Sequence, residues 1–198
     1  DTAELAALAA ETARKAGSLL LVCNTRAQAR TLYAALGAVW SGKRRHLSTS
    51  MCTKHRKAVL GDVCAALNAR EPLICVTTQL IEAGVDVSFG SVIRILAGMD
   101  NAVQAAGRCN RNGKVPGGGV VTVFIPEDDR KIYPGAAYQR GAEIVKLLWA
   151  DGTLDIHNPE IIAEYYRRLF RDIQDGLTES ILAEDYEAVE QEYKLIKK

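Results

Sequence analysis

Apolar and polar positions along the chain follow two periods in turn. Short apolar runs of strand length alternate with longer segments whose apolar residues recur about every 3.6 positions. The strand-length runs are residues 18–23, 45–48, 73–77, 92–96 and 120–125. The segments of helical period are residues 3–16, 26–36, 53–68 and 101–111. Strands that alternate with helices predict a mainly parallel sheet with helices on both faces, which is a three-layer α/β domain.

The pattern changes after Pro126, where the chain becomes acidic and helical in period. The predicted helices of this part are residues 136–150, 159–173 and 180–198. Asn158 and Pro159 fit the start of the second, because Asn caps helices and Pro is favoured at the first helical position. We therefore predict an α/β domain over residues 1–126 and a helical C-terminal extension over residues 127–198.

Polar residues follow the ends of the predicted strands. Parallel sheets of this class bind ligands at the carboxyl ends of their strands. We therefore expect three segments to share one edge of the sheet: residues 24–26, residues 77–79 and the loop before Asn101.

Charge is distributed unevenly, although the formal net charge is only +1. Residues 14–70 carry 11 Lys and Arg against one acid, whereas residues 127–198 carry 16 acids against 10 bases. A basic half favours a polyanionic partner such as nucleic acid. A solvated surface with segregated charges is the alternative.

Composition excludes several classes of protein. Hydrophobic residues make up 48% and charged residues 25% of the chain, and no run approaches the roughly 18 apolar residues of a membrane span. The five cysteines are scattered without metal-ligand spacing, and Cys23 and Cys75 lie in apolar runs where core thiols are expected. This usage favours a reducing cytoplasm. The chain begins without Met inside a helical pattern, so we expect it to be part of a longer protein.

One stretch combines two arginines with a glutamine and a glycine at regular spacing: Gln104-Ala-Ala-Gly107-Arg108-Cys-Asn-Arg111. On a helix its four numbered residues fall on one face. Arginines are rarely buried without partners, so two of them one turn apart indicate an anion. A permanently charged guanidinium can neutralise charge that develops on a transferring phosphoryl group. A surface helix with salt bridges is the alternative.

Two further stretches place polar groups at strand ends. In the first, a buried strand runs into Thr78 and Gln79 and then to Gly84 and Asp86. A threonine there can contact a phosphate, a glycine allows close approach of a ligand and an acid can hold a ribose hydroxyl. In the second, residues 24–26 follow the first strand. A structural loop and a plain helix N-cap are the respective alternatives.

Together these stretches resemble the motifs of the second motor lobe of superfamily-2 helicases. Residues 104–111 fill every position of motif VI, Q-x-x-G-R-x-x-R, and the two other stretches resemble motifs V and IV. His46-Leu-Ser-Thr49 and Met51 with His55-Arg56 resemble an element of the CRISPR-associated helicase-nucleases of type I systems.

The resemblance implies a RecA-like lobe and a role for each matching residue. It implies Arg111 as arginine finger and Arg108 as its γ-phosphate partner. The implied ATP contacts are Gln104, Gly107, Gly84 and Asp86. The implied nucleic-acid contacts are Thr25, Arg26, Ser48, Thr78 and Gln79.

The function implied is that of an ATP-dependent 3′-to-5′ helicase that moves single-stranded DNA in CRISPR interference. The partners implied are a first RecA-like lobe, which would hold most of the ATP and Mg²⁺, an HD nuclease domain and a guide-RNA surveillance complex. Another superfamily-2 DNA or RNA helicase, or a non-enzymatic binding module on this fold, is the alternative.

The ATP-binding parts of a first lobe are not evident in the sequence. Residues 37–43 satisfy G-x-x-x-x-G-K, but Arg44 stands where Ser or Thr is required and the loop follows a helix rather than a strand. We therefore expect the chain to be inactive as an ATPase by itself.

Overall fold

A computed structural model describes residues 1–79, 86–113, 115, 117–127, 132–156 and 158–177. Its strands are β1 (Ser18–Val22), β2 (Lys43–Leu47), β3 (Leu73–Thr77), β4 (Ser91–Ile95) and β5 (Val120–Phe124). Its helices are α1 (Thr2–Ala16), α2 (Arg26–Val39), α3 (Thr53–Asn68), α4 (Met99–Ala106), α5 (Ala136–Ala150) and α6 (Pro159–Leu177). The chain divides into two compact units, of which the first is Asp1–Ala142 and the second begins at Glu143.

The strands form one sheet in the order β2-β3-β1-β4-β5, and every pairing between them is parallel. Apolar side chains of β1 point alternately to the two faces of the sheet. Leu19 and Leu21 pack with α1 and α2, whereas Leu20 and Val22 pack with side chains of α3 and α4. The predicted three-layer α/β fold with a parallel sheet is therefore confirmed.

The helix predicted over residues 101–111 ends early, because α4 stops at Ala106. The chain beyond it pairs instead with Phe89. The Phe89 amide donates to the Arg108 carbonyl at 2.9 Å, and the Asn110 amide donates to the Phe89 carbonyl at 2.8 Å. Asn110 then turns the chain with φ at 44°, a region that Asn tolerates better than most residues. The prediction that Gln104, Gly107, Arg108 and Arg111 share one helix face was wrong.

Residues 37–43 do not form a phosphate-binding loop, as expected from the sequence. Helix α2 continues through Gly37 to Val39, and β2 begins at Lys43. A side chain at Gly42 would meet the Trp40 ring, with a Cβ only 2.5 Å from the nearest ring atom. The second glycine of this pattern is therefore explained by packing.

Cys23 and Cys75 are fully buried core thiols, as predicted, and burial raises the pKa of each to about 12. We expect iodoacetamide at pH 8 to alkylate exposed Cys52 in the native protein and to spare these two, because only a thiolate reacts. Peptide mass spectrometry before and after urea unfolding measures this. Modification of Cys75 at equal rates in both states would contradict the burial described here.

In the second unit, α6 begins as the sequence predicted. Asn158 precedes it, and its side-chain oxygen accepts a hydrogen bond from the Glu160 amide at 2.9 Å. Tyr166 and Phe170 stack on its surface with ring centroids 5.9 Å apart. The helix predicted over residues 180–198 lies outside the described residues. No helix within the described ranges is long and apolar enough to cross a membrane.

Candidate functional site

A cleft of about 490 Å³ opens beyond the carboxyl ends of β1 and β3, and we call it the rim cleft. It is lined by Asn24, Thr25, Arg26, Thr49, Thr78, Gln79 and Pro134. The sequence prediction that residues 24–26 and 77–79 share one edge of the sheet is confirmed. Four of the five residues predicted to contact nucleic acid lie here, all except Ser48.

The start of α2 gives the rim cleft a positive end. Thr25 is the N-cap, and its hydroxyl accepts a hydrogen bond from the Gln28 amide at 3.2 Å. Arg26 is the first helical residue, and its guanidinium donates to the Ser50 hydroxyl at 2.8 Å. No acid occupies the first turn. A helix start with a cation beside it favours an anionic ligand.

Thr78 contributes a hydroxyl that lacks a hydrogen-bond partner among the described residues. Its side chain is only 2% exposed, and the neighbouring Thr77 hydroxyl donates to the Thr78 carbonyl rather than to the Thr78 hydroxyl. A buried polar group without a partner is costly to the folded state. The oxygen of a ligand in the rim cleft could supply that partner.

Ser48, the fifth predicted nucleic-acid contact, does not line the rim cleft. It is buried at the end of β2, and its hydroxyl accepts a hydrogen bond from the Ser50 amide at 3.2 Å. Its contact therefore shapes the turn, whereas the next residue, Thr49, lines the rim cleft. The proposed nucleic-acid contact of Ser48 stays a prediction, and Thr49 is a further hydroxyl residue in the lining of the rim cleft.

A second group of predicted residues lies at the opposite edge of the sheet, beside the start of β4. We call residues 107–111 the arginine turn. The Nε atom of Arg111 lies 3.5 Å from the Asp86 carboxylate, and the two side chains are 46% and 86% exposed. An exposed pair at this distance is weak, so Arg111 can exchange Asp86 for a more highly charged anion. Gly84 lies outside the described residues.

The other residues predicted to contact the nucleotide differ from Arg111 in exposure or in backbone role. Arg108 is only 8% exposed, so it is held within the protein while Arg111 faces outward. Gln104 lies exposed on α4. Gly107 ends that helix with φ at −61°, which any residue can adopt, so the backbone does not explain this glycine.

The two surfaces offer cations and hydroxyls rather than metal ligands. Within the described ranges, no group of three or more His, Cys, Asp or Glu could hold a metal ion. Guanidinium groups, helix N-termini and hydroxyls all suit phosphate oxygens. The residues present therefore fit a phosphate-containing ligand.

One polar contact that the sequence did not indicate lies beneath the rim cleft. Arg94 is fully buried in β4, and its Nη1 donates to the Asn24 side-chain oxygen at 2.6 Å and to the Ile95 carbonyl at 2.8 Å. The Asn24 side-chain nitrogen donates in turn to the Leu96 carbonyl at 2.7 Å. The only sequence signal was an arginine inside an apolar run.

The chain is similar to a family of known proteins. Residues 15–114 match the family described as CRISPR-associated nuclease/helicase Cas3, C-terminal. A curated relative, the Cas3 of Haloferax volcanii, is 41% identical over 83 residues, which are 40% of this chain and 9% of that protein. The chain therefore spans about a tenth of the length of this relative.

Solved structures share the fold. The chain resembles T. fusca Cas3 with ADP, with a TM-score of 0.68 at 22% identity, over 98% of this chain and 24% of that one. It also resembles a chain in a CRISPR RNA-guided surveillance complex before nicking, with a TM-score of 0.60 at 22% identity, over 94% and 25% of the two chains. The family match covers half of the sequence, and the predicted resemblance is thereby confirmed: the chain belongs to the C-terminal family of the CRISPR-associated nuclease/helicase Cas3.

Proposed function

We propose that this chain is the second motor lobe of an ATP-dependent helicase, which translocates 3′ to 5′ on single-stranded DNA in CRISPR interference. The observation that carries the proposal is the separation of two arginine-bearing surfaces by one parallel sheet, each of which is a candidate phosphate site. The rim cleft lies at one edge and the arginine turn at the other. A five-residue strand spans roughly 16 Å between these edges.

The rim cleft would hold the sugar-phosphate backbone of the single-stranded DNA. Arg26 supplies a positive charge, the start of α2 supplies amide donors and Thr78 supplies the hydroxyl without a described partner. Thr49 and Gln79 add polar groups to the lining. Contacts of this kind position a nucleic acid without reading its sequence, as a translocase requires.

The arginine turn would act on a nucleotide held by another lobe. Arg111 is exposed and would neutralise the negative charge that develops on the transferring phosphoryl group. Arg108 would be the partner of Arg111 at the γ-phosphate, and Asp86 and Gln104 would contact the rest of the nucleotide. ATP would supply the free energy of translocation, with Mg²⁺ bound mainly by the first lobe.

The family membership suggests which other domains and complexes this lobe works with. The matched relative is named a nuclease/helicase, and one matched structure is a CRISPR RNA-guided surveillance complex. We therefore propose that the lobe works beside a first RecA-like lobe and an HD nuclease domain, and that a guide-RNA complex recruits the whole. The residues 1–126 would form the lobe, and residues 127–198 would lead toward an accessory domain.

The ATPase of the complete protein tests this function. We expect single-stranded DNA to stimulate hydrolysis and RNA of the same length to do so weakly, since DNA is the proposed track. Stimulation by RNA alone would favour another superfamily-2 helicase. ATP turnover by the isolated chain would contradict the assignment of this chain as half of the active site.

Replacing Thr78 by valine tests the rim cleft separately. Valine has nearly the shape of threonine and removes a hydroxyl that lacks a described partner, so we expect the melting temperature to stay the same or rise. Affinity for single-stranded DNA should fall roughly tenfold, the effect of one hydrogen bond to a charged group.

Fluorescence anisotropy with a labelled oligonucleotide measures this affinity. Thr122→Val makes the same change in β5, outside the lining of the rim cleft, and should leave binding unaltered. Wild-type affinity in Thr78→Val would remove this hydroxyl from the proposed DNA site.

A further inference from the structure

A buried bridge of hydrogen bonds joins the end of β1 to the end of β4 beneath the rim cleft. Asn24 is 2% exposed, and its side chain lies between Arg94 of β4 and the Leu96 carbonyl. Arginine only donates, so the Asn24 oxygen must face Arg94 and its nitrogen must face Leu96. Water cannot replace these bonds at such burial, and the orientation of the amide is therefore fixed.

One side of the bridge adjoins the rim cleft, and the other side is connected to the arginine turn through α4. Asn24 precedes Thr25 and Arg26, which line the rim cleft and begin α2. Leu96 immediately precedes the segment that enters α4. Helix α4 then runs down to the arginine turn that carries Arg111.

We propose that Asn24 and Arg94 form a positioning pair that couples the grip on DNA to the placement of Arg111. This inference rests on the proposed function. A DNA strand that binds Thr25 and Arg26 displaces the neighbouring Asn24. The hydrogen bond from the Asn24 side-chain amide then moves the Leu96 carbonyl, and with it the start of α4. Arg94 touches neither ligand and acts by keeping the amide of Asn24 in its working orientation.

The central variant is Asn24→Asp in the complete protein. An aspartate keeps an acceptor for Arg94 and gains a charge of opposite sign, so the strand end stays packed. Both of its oxygens accept, however, so the Leu96 carbonyl loses its donor and the connection to α4 is broken.

The informative readout is the ratio of ATP turnover at saturating single-stranded DNA to turnover without DNA. We expect Asn24→Asp to lower this ratio roughly tenfold, within the range of coupling between sites. A purely structural defect would lower both rates together and leave the ratio intact. Saturation with DNA removes any loss of affinity from the comparison.

Arg94→Met tests the other half of the pair, because methionine fills the space without orienting Asn24. We expect the same fall in the ratio, and we expect the double variant to fall no further, since both changes break one bridge. If Arg94→Met does not fold, the turnover ratio of Asn24→Asp alone tests the coupling. Asn68→Asp, an exposed asparagine at the end of α3, is the control and should keep the wild-type ratio.

The outcomes separate the two proposals. Wild-type protein without DNA stimulation would overturn the proposed function and the coupling together. A stimulated wild type with an equally stimulated Asn24→Asp would overturn the coupling alone. Effects of the two variants that multiply in the double variant would overturn the pairing of Asn24 with Arg94.

Discussion

Replacing Arg111 by alanine in the complete protein should lower ATP hydrolysis by about a thousandfold, in the range measured when arginine fingers are lost. The exposed guanidinium of Arg111 faces outward from the arginine turn, 3.5 Å from Asp86. We expect affinity for single-stranded DNA to stay at the wild-type level, because the rim cleft lies at the opposite edge of the sheet. Steady-state hydrolysis and anisotropy titrations measure the two quantities.

Two further variants distinguish a finger from a surface charge. Arg111→Lys keeps the charge and loses the planar fork, so its activity should lie between those of Arg111→Ala and wild type. Arg171→Ala removes an exposed arginine of α6 and should hydrolyse ATP normally. Hydrolysis by Arg111→Ala at the wild-type rate would exclude Arg111 as the finger.

Replacing Gly90 by alanine should destabilise the protein by about 3 kcal/mol, the upper part of the usual cost of overpacking. The added Cβ would lie 2.2 Å from the carbonyl oxygen of Ala16, at the end of α1. The Gly90 amide also donates to the Ser18 hydroxyl at 2.9 Å, which holds the start of β4 beside the start of β1. The backbone must shift to make room, and urea unfolding measures the loss.

Gly61 provides a matched control with the opposite expected sign. It lies inside α3, and a Cβ at that position would meet nothing within 4 Å. Gly61→Ala should therefore stabilise the protein by about 0.5 to 1 kcal/mol, because alanine favours helix and restricts the unfolded chain. Equal stability of Gly90→Ala and wild type would contradict the close packing of β4 against α1.

The strands could be predicted because their signal is local. β3 occupies the predicted residues 73–77 without any shift, since the apolar run starts after Pro72 and ends in threonines. The other four strands differ from prediction by one or two residues at their ends. The order of strands and helices then required a parallel sheet, and a parallel sheet brought residues 24–26 and 77–79 to one edge.

The end of α4 could not be predicted, because what ends it is distant in sequence. Helical spacing continues through Arg111, yet Phe89 lies about twenty residues earlier and pairs with the backbone around Cys109. No local sequence pattern indicates this β-bridge between Phe89 and Cys109. The motif residues were thus chosen from their order, while their arrangement in space required the structure.

The buried contact of Arg94 was invisible for a related reason. An arginine within an apolar strand predicts a partner but not its identity, and Asn24 lies 70 positions away. The polar residues after a strand were interpreted as ligand contacts or as caps. Thr25 is indeed the cap, whereas Asn24 serves as an internal connection between β1 and β4.

The most direct test of Arg111 as the arginine finger is one structure of the complete protein with single-stranded DNA and a transition-state mimic of ATP hydrolysis. The quantity to measure is the distance from the Arg111 guanidinium to the mimic of the transferring phosphoryl group. We expect a hydrogen bond of about 2.9 Å between them. An Arg111 that remains beside Asp86, with another residue on the phosphoryl mimic, would contradict it.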